Sequence, residues 1–293
     1  MDYNINFPHL GIFLEHVGKN ISIGNFTIAY YGIVIAIGML IGMRVAMWRA
    51  KETGQKPDDY VDIVLIGMIV GIIGARIYYV VFSWDAYKND PLSVFNIRQG
   101  GLAIYGGIIG GALAVLVLSK IKKIPFGVIF DTIAMSVPIE QIVGRWGNFF
   151  NREAFGKYTD SLFAMQLPVS AVRQHEISEE MWTHLQTIGG IDYIQVHPTF
   201  LYEGCWNLMV LIILFLIRKK MKFNGELFLF YIAGYASGRF WIESLRTDQL
   251  LIMNTEIPVS MVVSGVAFIG AVLMILIGRK KFTKNVETRA DGT

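Results

Sequence analysis

Seven apolar blocks govern what this chain can fold into. They run over about 28–48, 61–82, 100–119, 126–143, 199–217, 227–245 and 258–277, each near the ~20 residues needed to cross a bilayer. A backbone in hydrocarbon must satisfy its own hydrogen bonds, so such blocks predict helices rather than open strands. Charged residues make up 17% of the chain, against about 25% in an average soluble domain. The expected fold class is an all-α polytopic membrane protein with seven transmembrane helices and a small extracytoplasmic head. A soluble α/β core is the alternative set aside on these grounds.

The positions of the charges give an orientation. Basic clusters follow the first block (Arg49, Lys51, Lys56), the third (Lys120, Lys122, Lys123), the fifth (Arg218, Lys219, Lys220, Lys222) and the seventh (Arg279, Lys280, Lys281, Lys284). After the second and sixth blocks stand only Lys88, Arg98 and Arg246. This alternation follows the positive-inside rule and places the N-terminus and the long 145–198 stretch outside, with the C-terminus in the cytoplasm.

The organisation expected is an amphipathic N-terminal arm (1–27), helices one to four (28–144), the head (145–198), helices five to seven (199–280) and a cytoplasmic tail (281–293). Phe7, Leu10, Ile12, Phe13 and Leu14 suit an interfacial arm. No basic n-region or small-residue cleavage site precedes the first block, so no cleaved signal peptide is expected. A Gly189-Gly190 pair marks a turn in the head. The single cysteine, Cys205, lies in an apolar block, is read as a packing residue and excludes an intrachain disulfide. No HExxH, CxxC, P-loop or GxSxG spacing occurs, so no metal and no organic cofactor is expected.

Ionisable groups inside apolar blocks are functional candidates, since each costs roughly 2.5–3.5 kcal/mol to insert. Arg239, Glu243 and Arg246 share one helix face by their i, i+4, i+7 spacing, with Tyr235 one turn earlier. They read either as a self-neutralising anchor or as a phosphate cradle, because arginine forks match phosphate oxygens. Arg76 fits ligand contact and snorkelling equally. In Gln99-Gly100-Gly101-Leu102-Ala103-Ile104-Tyr105-Gly106-Gly107 the glycines fit close helix packing, which leaves Tyr105 unexplained. Gly144-Arg145-Trp146-Gly147-Asn148-Phe149-Phe150-Asn151-Arg152-Glu153-Ala154-Phe155-Gly156 crowds arginines, asparagines and a glutamate where an apolar block ends. It reads as an anionic-headgroup site. His197 and Glu203 open the fifth block, six residues apart, a spacing that does not settle their geometry.

The Gly144–Gly156 stretch resembles the signature G-R-x-G-N-F-x-N-x-E-x-x-G of the bacterial prolipoprotein diacylglyceryl transferases. Tyr30-Tyr31-Gly32, Gly74-Ala75-Arg76-Ile77, Gly100-Gly101-Leu102 with Tyr105-Gly106-Gly107, His197-Pro198 with Leu201-Tyr202-Glu203, and Gly238-Arg239-Phe240 with Glu243 follow in that family's order. Many members carry histidine where this chain has Tyr105, so a histidine base at that position has no part here.

The resemblance implies a reaction. The diacylglyceryl group of phosphatidylglycerol moves to the thiol of a prolipoprotein's lipobox cysteine, giving a thioether and glycerol phosphate. The nucleophile belongs to the substrate, and arginines would meet the charge developing on the leaving phosphate. On this reading Arg145 and Arg239 clamp the phosphate, Asn148 and Asn151 donate to the headgroup, and Glu153 and Glu243 orient the arginines or accept protons. Tyr31 and Tyr105 hydrogen-bond the glycerol or phosphate region. Gly156, Arg76, Arg246, His197 and Glu203 complete the binding site. Glu243, Glu203, Glu153, Tyr105 and His197 stay open as the base for the thiol. A small-solute transporter or lipid flippase, and a noncatalytic scaffold, are the rival classes; no inverted repeat supports the transporter.

Overall fold

The computed structural model describes residues 3–24, 26–97, 100–253 and 255–290, without the side chains of Tyr3 and 284–290. Asp2, Arg98, Gln99 and the Lys284 side chain lie outside the described residues. The chain forms two compact units, one of Met1–Gly42 with Ala134–Thr293 and one of Met43–Ile133.

Helices dominate the described residues: α1 (Tyr30–Glu52), α2 (Pro57–Phe82), α3 (Ile104–Lys122), α4 (Phe126–Ile133), α5 (Val137–Asn151), α6 (Glu179–Thr183), α7 (Thr199–Ile217), α8 (Glu226–Glu243) and α9 (Val259–Ala290). Five are long and apolar enough to cross a membrane: α1, α2, α3, α7 and α9 over Val259–Thr283. Counting α4 with α5 as one broken span gives six. The break falls just before Pro138, whose missing N–H and ring disfavour a continuous helix there. The 18-residue α8 carries Glu226, Arg239 and Glu243 and is not among these spans. The third helix starts at Ile104 rather than near 100, because Gly100 and Gly101 take left-handed φ values of +89° and +77°.

The all-α expectation is corrected by seven strands among the described residues. They are β1 (Tyr3–Phe7), β2 (Ile12–Val17), β3 (Asn20–Ile23), β4 (Phe26–Ala29), β5 (Met165–Pro168), β6 (Gln186–Ile188) and β7 (Ile191–Val196). An antiparallel sheet of order β2-β1-β5-β7-β6 takes two strands from the stretch expected as an amphipathic arm and three from the stretch expected as the head. Strand alternation explains both faces. Ile5, Phe7, Met165, Leu167, Ile194 and Val196 point into one core with Phe149 of α5 and Phe200 of α7. Asn6, Gln166 and Gln195 point the other way and are also buried. They satisfy one another, with Gln166 Nε2 donating to Gln195 Oε1 at 3.2 Å and Gln195 Nε2 to Asp160 Oδ1 at 2.8 Å. The β6–β7 hairpin turns at Gly189-Gly190, both at positive φ, as the sequence predicted.

Phe149 and Phe200 fasten the sheet to the helices. In the same unit α5 packs on α7, α7 on α8 and α8 on α9. Trp206 lies over Gly238, where a Cβ would collide with the indole, and Trp206 Nε1 donates to Gly234 O at 2.8 Å. That notch brings α7 and α8 together one turn after Glu203 and directly beside Arg239.

Candidate active site

The Gly144–Gly156 stretch is half helix and half loop. Its first part forms the last two turns of α5, which put Arg145 and Asn148 on one face. Arg152 ends the helix in the left-handed region at φ 55°, and Ala154 follows at φ 56°. Left-handed backbone is costly for residues other than glycine, and persists only where surroundings fix it. Here Arg152 is 2% exposed and donates to the carbonyls of Phe150 and, 135 residues away, Val17. Thr199 Oγ1 donates to Ala154 O.

The loop is then stitched to α7 and α8. Gly156 N donates to His197 O at 2.9 Å, and Lys157 N to Leu245 O at 2.7 Å. Gly156 also bridges Arg246 in antiparallel fashion. A Cβ at Gly156 would stand 2.7 Å from His197 Cβ and 2.9 Å from Leu245 O, so only glycine fits. This junction sets the register of three segments that carry charged groups.

Those groups converge on Glu203. Its carboxylate, 4% exposed, forms an ion pair through Oε2 with Arg145 Nη2 of α5. Its Oε1 lies 3.2 Å from Arg239 Nη1 and 3.5 Å from Arg246 Nη1. Arg239 Nη2 is also 2.5 Å from Glu243 Oε2, close enough for charge pairing but out of line for a hydrogen bond. Arg246 grips Asp248 bidentately at 2.8 and 2.7 Å. Burial opposes the ionised form of Asp248, but the Arg246 fork outweighs it and holds the carboxyl below the usual carboxylate range. The cluster thus sets three arginines, 11–21% exposed, against three carboxylates, of which Glu203 and Glu243 are buried.

A second polar group adjoins the first. Arg145 Nη1 donates to Asn148 Oδ1 at 3.4 Å, and Asn148 and Asn151 both donate to Glu153 Oε1, at 3.1 and 3.2 Å. Arg173, from the sheet-bearing region, lies 3.5 Å from Glu153 Oε2. Tyr31 packs its ring on Gly147, where a Cβ would stand 2.6 Å from Cδ2. His197 Nδ1 is 3.2 Å from the Tyr202 hydroxyl, and burial lowers the His197 pKa, which favours the neutral ring.

The fold thus gathers Tyr31, Arg145, Asn148, Asn151, Glu153, Gly156, His197, Glu203, Arg239, Glu243 and Arg246 into one unit. Arg76 and Tyr105 belong to the other unit. The Arg76 guanidinium is fully engaged there, donating to the carbonyls of Ser93, Val94, Asn96, Gly100 and Gly101 at 2.7–3.3 Å. It folds the segment that leads into α3. Tyr105 stands in the first turn of α3, 41% exposed rather than buried. Next to it, Gly106 presses against Gly74, and a Cβ would strike the α2 backbone; close helix packing accounts for that glycine. Sequence reasoning did not single out Asp248 or Gln249, whose Nε2 donates to Glu243 O. Cys205 lies exposed on α7, lining a small apolar recess with Trp146 and Leu208.

These features define a class: a polytopic helical membrane protein that buries an arginine–carboxylate cluster beside a small antiparallel sheet. Comparison with known proteins narrows it. The family model described as prolipoprotein diacylglyceryl transferase matches residues 19–277. The chain is 40% identical over 259 residues to the phosphatidylglycerol–prolipoprotein diacylglyceryl transferase of Clostridioides difficile (strain 630), covering 88% of this chain and 94% of the relative. It is 42% identical over 254 residues to the protein so named in Clostridium kluyveri (strain ATCC 8527 / DSM 555 / NBRC 12016 / NCIMB 10680 / K1), covering 87% and 92%. With that of Nostoc sp. (strain PCC 7120 / SAG 25.82 / UTEX 2576) it shares 39% over 279 residues, covering 93% and 94%. The chain belongs to the prolipoprotein diacylglyceryl transferase family.

Proposed function

We propose that this enzyme transfers the diacylglyceryl group of phosphatidylglycerol to the lipobox cysteine of prolipoproteins, the first step of lipoprotein maturation. The substrate's sulfur forms a new bond to the glyceryl carbon. The carbon–oxygen bond to the phosphate breaks, and glycerol phosphate departs with the electron pair. The thiol gives up its proton to a base.

One observation carries the reading: Arg145 from α5, and Arg239 and Arg246 from α8 and its exit, converge on the single buried carboxylate of Glu203 of α7. Arginines fixed in a site shielded from water stabilise charge developing on a phosphate without reorganising. Glu203, Glu243 and Asp248 hold the guanidinium groups in place. The lipid phosphate then takes over the arginine forks from Glu203. Asn148, Asn151 and Glu153 line the approach, and Tyr31 packs beside it.

The charge alternation supports seven crossings, with α8 as the sixth and its charges sheltered in the bundle. It also supports the sheet and the N-terminus outside and the C-terminus in the cytoplasm.

The test is direct. Purified protein is mixed with phosphatidylglycerol and a lipobox peptide, and the peptide's mass is read. A gain of one diacylglyceryl group is expected, lost in Arg145→Ala and Arg239→Ala variants that still insert. No mass gain with wild-type protein would overturn the proposal, and solute flux into liposomes in its place would favour a transporter.

A further inference from the structure

The β3–β4 hairpin is not used by the site and is unusually exposed. Its register pairs Asn20 with Ala29, Ile21 with Ile28, Ser22 with Thr27 and Ile23 with Phe26. Strand alternation therefore puts Ile21, Ile23, Phe26 and Ile28 on one face. Asn20, Ser22, Thr27 and Ala29 occupy the other, where the Ser22 and Thr27 hydroxyls meet at 3.1 Å. The apolar face is uncovered, with Ile21 at 41%, Ile23 at 67% and Phe26 at 61% exposure. An isolated two-stranded hairpin is marginal in water and needs something to pack on.

Its position says what that is. β4 ends at Ala29 and α1, a membrane-crossing helix, begins at Tyr30. The 23 residues of α1 span roughly 34 Å at ~1.5 Å per residue, close to the ~30 Å bilayer core. Arg49 and Lys51 occupy its far end, so Tyr30 lies at the near boundary. The base of the hairpin is closed there by Tyr30 N donating to Lys19 O at 3.0 Å. Lys19 Nζ in turn donates to Ala171 O at 3.3 Å. The start of α1 packs on the signature helix, with the Tyr30 and Phe150 ring centroids 5.1 Å apart.

We infer that β3–β4 is an interfacial anchor. It lays Ile21, Ile23, Phe26 and Ile28 into the acyl region of the leaflet at the N-terminal end of α1. Because its base rests on α5, it fixes the depth of the Gly144–Gly156 stretch relative to lipid headgroups. The occupant is bilayer lipid, not a peptide and not a second copy.

The test reads depth and is independent of any reaction. In a Cys205→Ser background, single cysteines are placed at Ile23→Cys, Phe26→Cys, Ser22→Cys and, as an exposed control in α6, Glu179→Cys. Each is labelled with bimane in phosphatidylcholine nanodiscs containing lipid with a nitroxide near the headgroup. Quenching by the nitroxide lipid of about twofold or more, with protection from aqueous iodide, is expected at 23 and 26. Position 22 should be quenched less by lipid, and position 179 by iodide alone. Iodide quenching without lipid quenching at both 23 and 26 would overturn the inference. So would protection that appears only with added lipobox peptide, or only at two protein copies per disc.

Discussion

Replacing Glu203 with glutamine tests the centre of the site, because the side chain keeps its shape and loses its charge. In the native cluster Arg145, Arg239 and Arg246 face Glu203, Glu243 and Asp248, so the charges balance. Glu203→Gln leaves one positive charge in excess. Removing one partner of a fully buried ion pair costs about 3–5 kcal/mol. Here the arginine side chains are 21%, 17% and 11% exposed. Each also keeps another partner: Asn148, Glu243 and Asp248 respectively. Water and those partners recover part of the loss, so a destabilisation of about 2 kcal/mol is expected. Two kinetic effects accompany it. The guanidinium groups lose the carboxylate that aligns them, which should lower kcat by about a hundredfold, the size of effect that a misplacement of about 1 Å produces. The carboxylate that competes with a phosphate is also gone, so glycerol phosphate should inhibit the variant about tenfold more tightly, a change of about 1.4 kcal/mol. The assay is steady-state transfer from phosphatidylglycerol to a lipobox peptide, with glycerol phosphate as inhibitor and a melting curve in the same detergent. A kcat near wild type would refute the aligning role. Unchanged or weaker inhibition by glycerol phosphate would refute the idea that Glu203 holds the place of the phosphate.

Three further outcomes follow from the geometry. Gly156→Ala forces a Cβ against the Leu245 carbonyl, which is backbone and cannot swing aside, so a loss of about 1–3 kcal/mol is expected, with a drop in turnover as the Glu203 and Arg246 segments shift; wild-type melting and turnover would contradict the junction described. Arg76→Lys exchanges a five-donor fork for a single ammonium and loses most of the carbonyl bonds to Ser93, Val94, Asn96, Gly100 and Gly101. Amide exchange around Ser93–Asn96 and Gly101 should then quicken about tenfold or more, since each charge-assisted bond is worth about 1.5–3 kcal/mol, and unchanged protection would argue against the staple. His197 has its folded-state pKa lowered by burial, so the unfolded chain binds its proton more readily. Stability is therefore full above the ordinary histidine value of about 6.5 and falls as pH drops from there toward the folded pKa. Melting temperature should decline between neutral and mildly acid pH, and His197→Gln should flatten part of that decline; an identical profile in the variant would rule it out.

What the sequence disclosed, and what it hid, has a physical pattern. The membrane helices were legible because hydrocarbon leaves a backbone little choice, and the apolar length of α1, α2, α3, α7 and α9 records that constraint locally. The strands were hidden for the converse reason. Their apolar residues alternate correctly, as in Ile5 and Phe7 or Ile194 and Val196, but the intervening Asn6, Gln166 and Gln195 are polar and look like surface. They are buried only because strands from distant parts of the chain bring the amides together, a condition no single segment reveals. The site divides the same way. Arg239 and Glu243 could be paired from their i, i+4 spacing, a local relation within α8. Glu203 could be named as a candidate but not as the centre. Its role depends on Arg145 from α5 and on Arg239 and Arg246 from α8 and its exit, and their meeting depends on contacts such as Trp206 against Gly238. Asp248 was not visible at all, since it pairs with Arg246 beyond the end of the helix, where periodicity no longer applies. The residues that supply charge were therefore readable one segment at a time. The carboxylate that gathers them acquires its role only when α5, α7 and α8 are packed, and that packing makes it the position most worth perturbing.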